Sequence, residues 1–184
     1  LEGVLLSGYR LLRVADSISA AEKYEPAENA MTVFPLWPHL REGLEAARLL
    51  LGVSGSTLRY DLPETRETVR ADEEMLMRAV LHLISNALDA AEDGTSVTVR
   101  GSIVGEQAVI TVSDTGCGIA PERLDSVFEP YTSLNRDGLP YQSLGLGLPL
   151  ARRVLETHGG SLRIVSTGEG TAAVCSLPLC NELP

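Results

Sequence analysis

No stretch of this sequence is long and apolar enough to cross a bilayer. The strongest, residues 49–51 and 75–91, are short or broken by His82, Asn86 and Asp89, against the roughly 20 continuous apolar residues that a helical span needs. Cysteine is scarce. Cys117, Cys175 and Cys180 form neither a C-x-x-C pair nor a metal-ligand spacing with the three histidines His39, His82 and His158, and an odd count does not build a disulfide framework. That usage predicts a reducing, cytoplasmic compartment. Basic residues are few, 15 Lys and Arg against 25 Asp and Glu for a net charge of -10, which argues against a general electrostatic grip on nucleic acid or anionic lipid. Any anionic ligand then needs a local site. The chain starts at Leu1 without the basic, apolar and small-residue succession of a secretory signal, as expected of a piece of a longer polypeptide.

What is present suffices for a core. Hydrophobic residues make up 44% of the 184 and charged ones 22%, the balance of one folded domain with an extra helix or hairpin. Val4, Leu11 and Ile18 recur at seven-residue spacing with Leu5, Leu12 and Ala15 beside them, predicting a helix over 4–24 that packs on partner helices or folds back on its own domain. Residues 25–31 read as a linker. Pro38 in a first turn, then Leu40, Leu44, Ala47, Leu50 and Leu51, predict a second helix stopped at Gly52. Short strands are expected at 57–61 and 68–70 around a Pro63 turn. Asp72 then caps a long helix whose apolar positions, from Leu76, Ala79 and Val80 to Ala87, Leu88 and Ala91, advance in steps of 3 and 1. Residues 96–103 and 107–113 predict a hairpin through Gly105, and 114–145 a long loop with a helical turn near 122–127. A last helix over 146–157 stops at His158-Gly159-Gly160, followed by strands at 161–167 and 172–177. The expected fold class is an α/β two-layer sandwich, helices on one face of a mixed, mostly antiparallel sheet, plus the N-terminal helical stem.

Three local patterns carry chemistry. On the long helix His82, Asn86 and Asp89 stand at i, i+4 and i+7 and share a stripe. An amide oxygen on a rigid helix can ligate Mg²⁺, which takes one or two protein ligands beside phosphates and water, although a solvated helix face has the same spacing. Ser113-Asp114-Thr115-Gly116-Cys117-Gly118-Ile119 follows a β run directly. Its spaced glycines allow close backbone approach to a flat ligand and its aspartate can accept from an exocyclic amine, although an ordinary Asp/Gly turn reads similarly. Ser143-Leu144-Gly145-Leu146-Gly147-Leu148-Pro149 sets glycines at the entrance to the last helix, where free N–H groups and the dipole suit phosphate.

Taken in order, Asn86, Asp114-x-Gly116-x-Gly118-Ile119, Phe128-Glu129-Pro130-Tyr131, the Leu144 to Leu148 glycine run and Gly168-Glu169-Gly170-Thr171 resemble the N, G1, F, G2 and terminal glycine boxes of the GHKL ATPase superfamily. Within it, residues 11–179 resemble a sensor histidine kinase, with 11–16 and 21–23 similar to the end of a dimerisation helix. The resemblance divides the chain into 1–25, the stem remnant, and 26–184, an ATP-binding catalytic domain of the Bergerat fold. It implies ATP and Mg²⁺ as cofactors, with Asn86 the metal ligand and His82, Asn86 and Arg136 the catalytic set. It also implies Asp114 on the adenine amine, with Asp89, Gly116, Gly118 and Ile119 around the nucleotide. Phe128 would anchor a mobile lid over 121–144, and Phe128 and Tyr131 would be among the residues that bind the nucleotide. Leu144, Gly145, Leu146, Gly147 and Leu148 would line the phosphates, and Thr171 would lie behind the adenine. The implied partners are the dimerisation and phosphoacceptor domain of the same protein, in a homodimer, and a response-regulator receiver domain; nucleic acid is not among them.

Three departures bear on turnover more than on binding. His82 stands where the family has Asn, or Glu in its ATP-hydrolysing members, and an imidazole nitrogen suits Mg²⁺ poorly. Ser143 replaces a glycine, and the basic residue usual after the F box is missing at 132–134, which leaves Arg136 as the expected γ-phosphate partner. None of the three histidines has a phosphoacceptor setting, so the substrate histidine is expected upstream. Two alternatives remain open at this stage: a degenerate nucleotide-binding or scaffold domain, and a GHKL ATPase or anti-sigma-type serine kinase.

Overall fold

A computed structural model describes residues 30–51, 53, 57–90, 96–130 and 145–180. The 1–25 stem, Tyr131, Arg136 and Leu144 lie outside the described residues.

The chain enters through β1 (Met31–Pro35) and passes directly into α1 (Leu36–Leu51). Leu36, Trp37, Leu40, Leu44 and Ala47 are buried along one side of α1, as their spacing predicts, and Pro38 sits in the first turn, where no hydrogen bond is lost. β2 (Leu58–Asp61) and β3 (Thr68–Asp72) follow. Asp72 then caps α2 (Glu73–Ala90), its Oδ1 accepting from the Met75 N–H at 3.0 Å, while Glu73 and Glu74 in the first turn complement the helix dipole. β4 (Val97–Val104) and β5 (Gln107–Asp114) form the expected hairpin, turning at Gly105. A 3₁₀ turn, Pro121–Arg123, lies in the following segment, and α3 (Gly147–Thr157), β6 (Ser161–Thr167) and β7 (Gly170–Pro178) complete the order among the described residues.

Five strands form one sheet in the order β2-β4-β5-β7-β6, antiparallel throughout except for the parallel β2–β4 pair. Val97, Val99, Ala108, Ile110, Val112, Leu162, Ala173, Cys175 and Leu177 belong to a core shared with Leu76, Val80, Leu83 and Ile84 of α2 and Leu150, Ala151, Val154 and Leu155 of α3. Burial alone pushes the Cys175 thiol up to about 12, so it packs as a small hydrophobe. The expected two-layer sandwich is the architecture observed.

Two features go beyond the sequence reading. β1 begins at Met31, the last residue of the expected linker, and pairs with β3 in a separate two-stranded antiparallel sheet, Met31 opposite Asp72 and Pro35 opposite Thr68. β2 and β3, neighbours in sequence around Pro63, therefore belong to different sheets.

Candidate functional site

α2 and α3 lie side by side, and the N-terminus of α3 meets α2 at the predicted stripe. A Cβ placed on Gly147 would lie 3.4 Å from His82 Nδ1 and 3.5 Å from Asn86 Nδ2, ordinary contact distances, which puts the helix start directly beside both side chains. The stripe is graded: His82 is buried, Asn86 half-buried and Asp89 exposed at the last turn. α3 begins without a side-chain cap and without an acidic residue in its first turn. Pro149 has no N–H, and the other amides at the helix start face away from the i→i−4 ladder, an arrangement that favours an anion. Gly145, with φ +66°, turns the chain into the helix in a conformation that side chains rarely adopt. Leu146 is buried and its carbonyl accepts the first helical bond from the Leu150 N–H at 3.0 Å, while Leu148 packs partly buried on the core.

The second cluster forms where β5 ends. Asp114 Oδ1 accepts from the Gly116 N–H at 2.9 Å and the Thr171 N–H at 3.3 Å, and Asp114 and Thr171 are register partners across β5 and β7. One carboxylate oxygen thus folds the loop back while the group retains lone pairs for a further donor. Gly118 has φ +68° and lies so close to the Thr167 carbonyl that a Cβ would overlap it. Gly116 approaches the carbonyl of Ala90, the last residue of α2, just as closely, which joins this loop to the helix bearing Asn86.

Ser166, which the sequence reading passed over, ties this corner together. Its Oγ accepts from the Ile119 N–H at 2.7 Å, donates to the Gly170 carbonyl at 3.0 Å and lies 3.2 Å from Thr171 Oγ1. A serine in an alternating strand carries no sequence signal of its own. Only its register opposite Thr171 reveals the role. Phe128 packs partly buried on the core, and the Arg152 guanidinium of α3 sits 4.9 Å above its ring. Cys117 is exposed between the two loop glycines.

These residues fit a hard cation and a polyphosphate. Asn86 carries an amide whose Nδ2 is the atom nearest Gly147 and whose oxygen is a hard-cation donor, and the helix start beside it has no acidic residue in its first turn. Among the described residues no group of three or more His, Cys, Asp or Glu could hold a metal by itself. A separate surface groove of about 420 Å³, lined by Pro38, Arg41, Glu42, Pro63 and Glu64 among others, contains none of the site residues expected from the sequence.

The family model described as histidine kinase-, DNA gyrase B- and HSP90-like ATPase matches residues 71–181. An uncharacterised sensor-like histidine kinase of Rhizobium meliloti is 30% identical over 178 residues, covering 94% of this chain and 34% of that protein. The histidine protein kinase DivJ of Caulobacter vibrioides is 38% identical over 144 residues, covering 76% of this chain and 24% of its own length. The chain thus spans about a quarter to a third of the curated relatives it matches. Among solved structures, a mycobacterial sensor histidine kinase, MprB, superposes with a TM-score of 0.66 at 28% identity, over 80% of this chain and 98% of that one. Full-length ShkA in complex with AMPPNP superposes with a TM-score of 0.70 at 23% identity, over 100% of this chain and 37% of that one, a likeness of fold.

Proposed function

Because the chain belongs to the histidine kinase-, DNA gyrase B- and HSP90-like ATPase family, we propose that it is the ATP-binding catalytic domain of a two-component sensor histidine kinase. In this reading residues 26–184 bind ATP and pass its γ-phosphoryl group to a histidine on a dimerisation domain upstream, in a homodimer, from which a receiver domain takes it. Residues 1–25 are the end of that dimerisation helix, and the domain works in the cytoplasm.

The observation that carries the reading is the meeting of two independent site halves on one helix. The acid-free start of α3 lies against His82 and Asn86, and the Asp114 loop lies against the last carbonyl of the same α2. A nucleotide with its adenine amine on Asp114 and Thr171 behind the ring would direct its phosphates toward Gly145, Gly147 and Leu148. Phosphoryl transfer depends on positioning and charge stabilisation more than on covalent help from the protein. The backbone amides of α3 would hold phosphate oxygens, Asn86 would hold the metal, and the γ-phosphate is assigned to Arg136. A bound Mg²⁺ would supply fixed positive charge beside the phosphates. His82 orients a water or a phosphate oxygen rather than binding the ion, because its nitrogen is a poor Mg²⁺ ligand.

Calorimetric titration with a non-hydrolysable ATP analogue, with and without Mg²⁺, tests this. Binding that strengthens with Mg²⁺ is expected, with phosphohistidine forming once the chain is extended to include the upstream acceptor. Absence of binding in a folded sample would overturn the nucleotide reading; binding without phosphohistidine in the extended chain would favour a scaffold domain.

A further inference from the structure

His158 is a buried polar side chain outside the candidate site, and both of its ring nitrogens are committed. Nδ1 lies 2.6 Å from the Val154 carbonyl one turn earlier in α3, and Nε2 lies 2.9 Å from the backbone nitrogen of Asp72. A carbonyl only accepts and a backbone amide only donates, so the partners assign the neutral ring with its proton on Nδ1. Asp72 is the residue that caps α2. The ring therefore joins the C-terminal end of α3 to the N-terminal end of α2.

We propose that His158 is a positioning residue that sets the axial register of α3 against α2, and through it the seat of Gly147 on His82 and Asn86. Apolar contact between the helices, Leu150, Ala151, Val154 and Leu155 meeting the α2 core residues, is strong but non-directional, and rows of similar side chains tolerate sliding. A hydrogen bond with a fixed donor and a fixed acceptor does not tolerate it. α3 has 11 residues and so behaves as a rod of about 16 Å, and fixing one end fixes where the other end sits. The importance of that other end rests on the nucleotide reading above; the register claim does not.

The test compares His158→Leu, which fills the volume without the hydrogen bonds, with His158→Gln, whose amide oxygen can still accept from Asp72. In the unaltered chain, imidazole ¹⁵N spectra are expected to show the Nδ1–H form. In His158→Leu, hydrogen exchange at the Asp72 amide is expected to rise about tenfold, the scale of one lost buried hydrogen bond. The Gly147 amide and Asn86 side-chain signals are expected to shift, and His158→Gln to restore both. Leu58→Ala, a buried change on β2 at the opposite edge of the sheet from β7 and β6, serves as a control for general destabilisation. Shifts confined to the neighbourhood of residues 72 and 158, or reproduced by Leu58→Ala, would overturn the proposal, as would an Nε2–H ring. ATP-analogue affinity, measured alongside, should fall in His158→Leu and recover in His158→Gln. If the unaltered chain binds no nucleotide, the function reading fails while the Gly147 and Asn86 signals still decide the register claim.

Discussion

At the scale of single residues, the candidate site is held by carboxylate and hydroxyl oxygens that each do two things. Asp114 organises its loop through Oδ1 and is proposed to meet an adenine amine with its remaining capacity. Asp114→Asn keeps an oxygen for the Gly116 and Thr171 amides but sets an NH₂ group against the adenine amine. The expected result is a folded protein whose adenine-nucleotide affinity falls by at least about tenfold, the range for a hydrogen bond to a charged group. Retained affinity by calorimetry would remove Asp114 from the adenine assignment. Ser166 acts one step back. Ser166→Ala frees the Ile119 amide and loosens the loop, whereas Ser166→Thr keeps the hydroxyl, so affinity should drop several-fold in the first and recover largely in the second. Equal losses in both would point to steric disturbance instead. The Asp-Gly-Gly spacing made the loop legible in sequence. Ser166 and His158 were not, because their roles come from partners many residues away in register, and nothing local distinguishes them from a surface serine and a helix stop.

At the scale of elements, legibility followed periodicity. α2 is long enough for its 3 and 1 steps to declare the buried face, and Asp72 and Gly105 mark a helix start and a hairpin turn by their own chemistry. β1 has five residues with only Phe34 buried, too short for alternation to register. It is held by β3 and by the corner where α1 begins, at which the Leu36 N–H bonds the Glu67 carbonyl at 3.0 Å and the Trp37 indole N–H donates to Glu67 Oε2 at 2.9 Å. Hydrogen bonding from the Thr65 hydroxyl first, then from the backbone and Trp37, outweighs burial and holds the Glu67 carboxyl below its ordinary value. A depressed folded-state pKa stabilises above the unfolded carboxylate range and loses that contribution as pH falls through the folded value. Urea midpoints of the unaltered chain should therefore decline as acid is added below about pH 4.5, and Glu67→Gln should flatten part of that slope while lowering the midpoint at neutral pH. An unchanged acid slope in Glu67→Gln would show that other carboxylates govern it.

At the scale of the whole molecule, the two halves of the proposed site are carried by different parts of one fold: the proposed phosphate end by the α2–α3 pair, the proposed adenine end by the β5–β7 register and the loop behind it. No segment assembles the site alone, which is why the order of the boxes along the sequence said more than any one of them. A ligand spanning both halves should therefore stabilise the domain as a unit. For binding to the folded state alone, an analogue at 100 times its dissociation constant adds about 2.7 kcal/mol. For a domain of this size that corresponds to a rise of roughly 5–10 °C in thermal midpoint. The rise should be larger with Mg²⁺ than without it if Asn86 holds the ion. Asp114→Asn, at the same analogue concentration, should cut the rise by about half or more, whereas Asn86→Ala should remove the Mg²⁺-dependent part and spare the remainder. A Mg²⁺ increment undiminished in Asn86→Ala would take the metal away from α2 and leave the nucleotide on Asp114.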